Sequence, residues 1–217
     1  MKSLSREVRK SLREETLRFL DRLRAVFPLE QRIARADPQI QDAYTRVLAC
    51  WMDGRMPPSD FLSPAQLHAL HALDAVAPGR DGIGCYPFSA DSRGISVLFS
   101  GYRVNAMCAI DALAVARLVA SAVQVEARCA TCLAAVHIEV QADGSLRHDD
   151  TPATAVLWKQ ASRSSGSCSD THCRDLVFLC EHCKTRGEGD RLTLPQAAAV
   201  ANAFFGFQHR LVSRSCT

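Results

Sequence analysis

Cys108 and Asp111 stand three residues apart in the run Asn105-Ala106-Met107-Cys108-Ala109-Ile110-Asp111-Ala112-Leu113, and a lone Cys173 follows far downstream in Thr171-His172-Cys173-Arg174-Asp175. Residues 105–119 carry few polar positions and read as a buried helix. On a helix, positions three apart share a face, which brings the Cys108 thiol beside the Asp111 carboxyl. Asn105 is a plausible N-cap, so Cys108 falls in the first turn, where the helix dipole and free N–H groups favour a thiolate. A thiolate takes a soft metal centre, and a neighbouring carboxyl holds or delivers a proton. Taken alone, the Cys-x-x-Asp spacing is a weak signal and fits an ordinary core cysteine better.

A second cysteine set consists of two Cys-x-x-Cys steps, Cys129/Cys132 and Cys180/Cys183. Each follows or joins predicted strands, so each can supply two corners of a tetrahedral Cys₄ zinc site, as knuckles do in a zinc ribbon. The 47 residues between the pairs exceed a compact zinc-finger spacing. A mercury-handling relay and plain reduced thiols remain as alternatives. Neither pair opens a helix after a strand, so a thioredoxin-like role is not expected. Cys50 reads as core, Cys85 as core or site-lining, and Cys168 and Cys216 as parts of loose segments. His172 and His182 read as ligands, bases or exposed polar residues. His68, His71 and His148 have no ligand spacing.

The elements that must position these groups form an α+β pattern. Residues 1–36 hold ten Lys/Arg against five Asp/Glu, with Leu4, Val8, Leu12, Leu20, Leu23 and Phe27 near helical spacing: a basic amphipathic helix. A second helix fits 39–52, with Tyr44, Val47, Leu48 and Trp51 on one face. Ser63-Pro64-Ala65-Gln66 is a capping-box start for a third. Together these suggest a helical bundle, helix-turn-helix-like, packed on a small, mostly antiparallel sheet. Residues 79–104 are turn-rich, with a hairpin expected across Asp91–Gly94. Alternation at Val123, Val125 and Ala127 and at Val136, Ile138 and Val140 gives two strands flanking the first Cys-x-x-Cys turn. Asp143-Gly144 marks a further tight turn. Ala155–Trp158 and Leu176–Leu179 are strands separated by a Ser/Gly loop at 162–167. Thr193-Leu194-Pro195-Gln196 opens a closing helix carrying Phe204, Phe205 and Phe207. The expected division is a helical region over 1–80 and an α+β catalytic domain over 81–217.

Composition narrows the classes. Hydrophobic residues make up 47% of 217, enough for a substantial core. No apolar run approaches membrane-spanning length, and the charged N-terminus lacks the apolar stretch of a secretory signal. A cytoplasmic setting is therefore expected, where ten cysteines argue for metal or thiol chemistry over disulfides. A net charge of +3 does not imply nucleic acid, and no helix is rich in Arg, Asn and Gln as a recognition helix would be.

The stretch Met107–Leu113, the Val123/Val125 strand, Cys129 with its turn, Cys173 with Phe178 five residues on, and the closing segment Ala203–Leu211 resemble organomercurial (alkylmercury) lyases over roughly residues 82–212. Residues 1–60 carry no such match. The paired Cys132 and the Cys180/Cys183 knuckle depart from the family pattern. The resemblance implies an enzyme that cleaves carbon–mercury bonds by protonolysis. One thiolate of Cys108 and Cys173 attacks mercury, the second raises its sulfur coordination, and Asp111 relays a proton to the leaving carbon. It further implies an organomercurial substrate, no organic cofactor, external thiols for turnover, and Hg(II) held on Cys108 and Cys173 before passing to small thiols or a mercuric reductase. The other expectation is a non-catalytic metal-sensing or regulatory protein on the same fold.

Overall fold

The protein, seen here as a computed structural model, is described over residues 6–147, 154–159 and 166–215. His148, Cys216, Leu4 and most of the 162–167 loop lie outside these residues. The basic N-terminal stretch is two helices, α1 (Arg6–Val26) and α2 (Leu29–Ala34), not one. Pro28 stands just ahead of Leu29 and lacks the N–H to continue α1. Leu20, Leu23 and Phe27 are buried, so this amphipathic stripe is a docking face. Arg22 of α1 lies over the Trp158 ring at 4.3 Å and pairs with Asp190. In α3 (Pro38–Met52), Asp37 caps the Gln39 N–H, and Tyr44, Val47, Leu48 and Trp51 are buried as the periodicity requires. The capping box of Ser63 and Gln66 starts α4 (Pro64–Ala72).

Among the described residues, ten strands follow in two sheets, and each pairing between them is antiparallel. β1 (Val76–Pro78), β2 (Ile83–Cys85), β3 (Phe88–Ser89), β4 (Ser96–Phe99), β5 (Tyr102–Ala106), β6 (Val123–Arg128) and β7 (Ala135–Val140) form the larger, in the order β1-β2-β3-β5-β4-β6-β7. The expected hairpin across Asp91–Gly94 is not formed. β3 pairs instead with β5, through Phe88 opposite Ala106. The tight hairpin is β4–β5, turned at Ser100-Gly101, whose φ values of 48° and 83° suit a primed turn matched to strand twist. The Asp143-Gly144 turn forms as expected, with Val140 bridging to Leu146.

The smaller sheet is β10-β8-β9, from β8 (Thr154–Lys159), β9 (Leu176–Cys180) and β10 (Gly189–Thr193). Sequence alternation did not suggest β10. Its first residue, Gly189, has φ 139° and passes so close that a Cβ would lie 2.0 Å from the Trp158 carbonyl oxygen. The closing helix is also split. α7 (Leu194–Phe204), with its Thr193/Gln196 capping box, ends at Phe205, and α8 (Gly206–Ser215) runs on from Gly206.

The helix α5 (Ala109–Leu118) touches both sheets, β4, β5 and β6 of the larger and β9 of the smaller, with α7 packed alongside. Nine of its ten residues are buried, which explains why its sequence shows no polar face. Burying a helix on all sides fixes its first turn firmly, and that first turn carries the candidate chemistry.

Candidate active site and four-cysteine cluster

β5 runs straight into α5, and Cys108 sits at the joint. Met107 is held by its N–H to the Pro87 carbonyl at 3.1 Å. Cys108 is itself the N-cap, with extended backbone and no side-chain capping bond. Asn105 belongs to β5 and is not the cap. The strand outcompetes the helix there because Asn105 is claimed by pairing with Ser89 and Ser96. Asp111 then falls at the third helical position, 3% exposed.

The other half arrives from the smaller sheet. Cys173 lies in α6 (His172–Asp175), a single turn before β9, with its N–H on the Cys168 carbonyl at 2.9 Å. Its Sγ is 3.9 Å from Asp111 Oδ2. The ligand atoms of Cys108, Asp111 and Cys173 all lie within 4.8 Å of one another, and all three residues are buried. Sixty-odd residues of chain are thus closed to bring two thiols onto one carboxyl.

Burial governs the ionisation of this group. It pushes the Asp111 carboxyl up to about 7, although hydrogen bonds from the Cys108 and Cys173 thiols pull it back. Burial, helped by Cys173 and Asp111, raises the Cys108 thiol well above the ordinary range. The helix-terminus thiolate expected from sequence is therefore overruled in the metal-free protein: desolvation outweighs the dipole. The Cys173 thiol is drawn down by Cys108, but Cys168, burial and the Asp111 charge outweigh that and raise it. A thiophilic metal that displaces these protons creates the thiolates as it binds.

The surroundings are asymmetric. On one side, Cys108 and Cys173 face a small apolar cavity walled by Leu23, Phe27, Tyr86, Leu176, Phe204 and Phe205. On the other, they floor an open cleft of about 460 Å³ edged by Asp91, Ser92, Arg93 and Arg174. Phe27 packs on both Tyr86 and Phe204, with centroids at 4.6 and 5.9 Å. Cys85 takes the core alternative of the sequence reading, and Cys168 departs from it. Cys85 is fully buried and does not line this cavity. Cys168 is no loose-loop cysteine: it is buried, lines the cavity, and holds its Sγ 3.8 Å from that of Cys173. The Cys-x-x-x-x-Cys spacing of Cys168 and Cys173, wrapped around one turn, was the available signal. His172 packs edge-on against Trp158, with ring centroids 5.9 Å apart.

The two Cys-x-x-Cys pairs meet. Cys129 and Cys132 occupy the β6–β7 connection, and Cys180 and Cys183 the end of β9, so the cluster joins the two sheets. Its four Sγ atoms lie within 4.8 Å of one another, Cys132 and Cys180 at 3.5 Å. A tetrahedral zinc with Zn–S of about 2.3 Å needs sulfurs about 3.8 Å apart, so the cluster fits that ion. Burial works upward on Cys129, yet N–H groups of Cys180, Cys132 and Thr131 bring it down to about 6. Burial and neighbouring thiols raise Cys183 to about 12 and Cys180 in the same direction. Without a cation, the cluster cannot hold four thiolates. His182 is not among these four ligands.

A family model described as alkylmercury lyase (MerB) matches residues 88–206, more than half of the chain. The fold is similar to a solved structure described as the mercury-bound form of MerB2, with a TM-score of 0.63 at 18% identity. That likeness covers 83% of this chain and 96% of the other. No curated protein matches the sequence.

Proposed function

The chain belongs to the alkylmercury lyase family, and from that premise we propose that it is an organomercurial lyase using Cys108, Cys173 and Asp111. The observation that carries this reading is a buried carboxyl, raised to about 7, between two buried thiols. A carboxyl poised there can both take and give a proton near neutral pH.

In this mechanism the substrate R–Hg–X enters by the cleft, and its organic group R lies at the edge of the apolar cavity, whose free space of about 10 Å³ is smaller than a phenyl ring. One thiol displaces X, forming an S–Hg bond as its proton leaves with X. The second thiol then bonds to mercury and passes its proton to Asp111. Asp111 delivers that proton to the mercury-bound carbon, and the C–Hg electron pair becomes the new C–H bond. Products are R–H and Hg(II) on Cys108 and Cys173. Holding proton and carbon together in a dry site is what free thiols in water cannot do. Small thiols or a mercuric reductase then remove Hg(II), and a reducing cytoplasm keeps the cysteines ready. In the same reading Cys129, Cys132, Cys180 and Cys183 hold a structural zinc that joins the sheets.

Asp111→Ala tests the proton relay. The variant is expected to bind phenylmercury about as well as the parent while benzene release is lost. Benzene release at the parent rate would remove Asp111 from the mechanism.

A further inference from the structure

Three thiols, not two, surround the apolar cavity, and the third has no part in the cleavage sequence above. Cys168 Sγ stands 3.8 Å from Cys173 Sγ, which in turn is 3.9 Å from the Asp111 carboxylate. Cys173 is thus shared between two adjacent pairs: Cys108–Cys173, which includes Asp111, and Cys173–Cys168.

The segment presenting Cys168 is fixed from several directions. Its backbone N–H donates to Asp74 Oδ2 at 2.9 Å, across 94 residues of sequence. The Tyr86 hydroxyl donates to the other Asp74 oxygen at 3.3 Å, and Arg32 adds a contact at 3.4 Å. On the C-terminal side, the Cys168 carbonyl accepts the Cys173 N–H, and Thr171 closes the turn with its hydroxyl on the Ser167 carbonyl at 2.8 Å. A cysteine needed only to fill space would not require this anchoring, and Tyr86, one of the anchors, itself walls the cavity.

We propose that Cys168 is the protein's own acceptor for Hg(II) after cleavage, taking over the metal from Cys108 while Cys173 keeps hold of it. This rests on the lyase reading. Mercury exchanges thiolate ligands by addition of a third sulfur before one departs. Here the Cys168 sulfur bonds to Hg(II) as its thiol loses a proton, the bond to Cys108 breaks, and Cys108 takes up a proton. Mercury stays Hg(II) throughout and no redox partner is needed. The step returns Cys108 to its thiol form beside Asp111, while Hg(II) waits on Cys173 and Cys168.

The test loads the full chain, zinc included, with one equivalent of HgCl₂ and records the thiolate-to-mercury charge-transfer absorption. Transfer of Hg(II) to a small thiol is then followed. The absorption confirms loading, since parent and variants all hold Hg(II) on two sulfurs, and the transfer rate is the deciding readout. Cys168→Ser, which must keep Hg(II) on Cys108 and Cys173, should give it up several-fold more slowly than the parent, and Cys168→Ala should behave alike if serine disturbs the turn. Identical transfer rates in parent and variants would overturn the acceptor role. Hydrocarbon release by the parent is measured alongside: its absence would refute the lyase reading, and the transfer rates would still decide the role of Cys168.

Discussion

Replacing Asp111 with Asn should change how stability depends on pH more than it changes stability at low pH. The wild-type carboxyl moves from an ordinary 3.8 to about 7 on folding. A raised acid favours its protonated form in the folded state. Its contribution is therefore fully present below about pH 4, is lost as pH rises toward 7, and changes no further above that. A shift of about 3 units corresponds to about 4 kcal/mol at 1.36 kcal/mol per unit. Asparagine has a similar shape and never ionises. Between pH 5 and pH 8 the wild type should thus lose about 2 to 3 kcal/mol relative to Asp111→Asn. In urea, with reductant present and zinc loading constant, that is a relative midpoint shift of about 1 M. The assay compares unfolding midpoints of both proteins across that range. Midpoints that move in parallel would show that Asp111 is not a buried acid with a raised pKa, and the proton-relay argument would lose its basis.

Other consequences are equally open to measurement. Removing metal with a strong chelator should lower the melting temperature and slow hydrocarbon release, because β9 links Cys180 of the four-cysteine cluster to the Cys173 turn; unchanged turnover in protein shown to be metal-free would separate the two sites. Phe205→Ala enlarges the apolar cavity and should raise phenylmercury cleavage relative to methylmercury, read as a ratio of kcat/KM values. Trp51→Phe removes the indole N–H that meets the Ile83 carbonyl at 2.9 Å and should cost about 2 to 3 kcal/mol in denaturant unfolding, with Phe88 stacking retained.

Much of the positioning was legible in the sequence because it rests on local rules. Ser63/Gln66 and Thr193/Gln196 announced their helices by capping chemistry, and both boxes close. Alternation at Val123–Ala127 and Val136–Val140 yielded β6 and β7 in register. Where residues answer to distant partners, the reading failed. Asn105 looked like a cap, but a strand on either side claims it. Cys108 looked like a thiolate, but a helix terminus cannot offset burial on every side. β10 has little apolar alternation and exists because β8 offers it a free edge. Cys168 looked incidental because only the turn from Ser167 to Cys173, pinned to Asp74, brings it to the cavity. The four-cysteine cluster was visible as spacing, while the closeness of its sulfurs came from two sheets meeting at one corner.

The central claim is best tested by incubating the zinc-loaded protein and excess small thiol with methylmercury or phenylmercury, and following methane or benzene. The account predicts catalytic hydrocarbon release that is lost in both Cys108→Ser and Cys173→Ser. Tight mercury binding with no hydrocarbon from the parent protein would contradict it, and would turn attention to a metal-binding or regulatory role for the same fold.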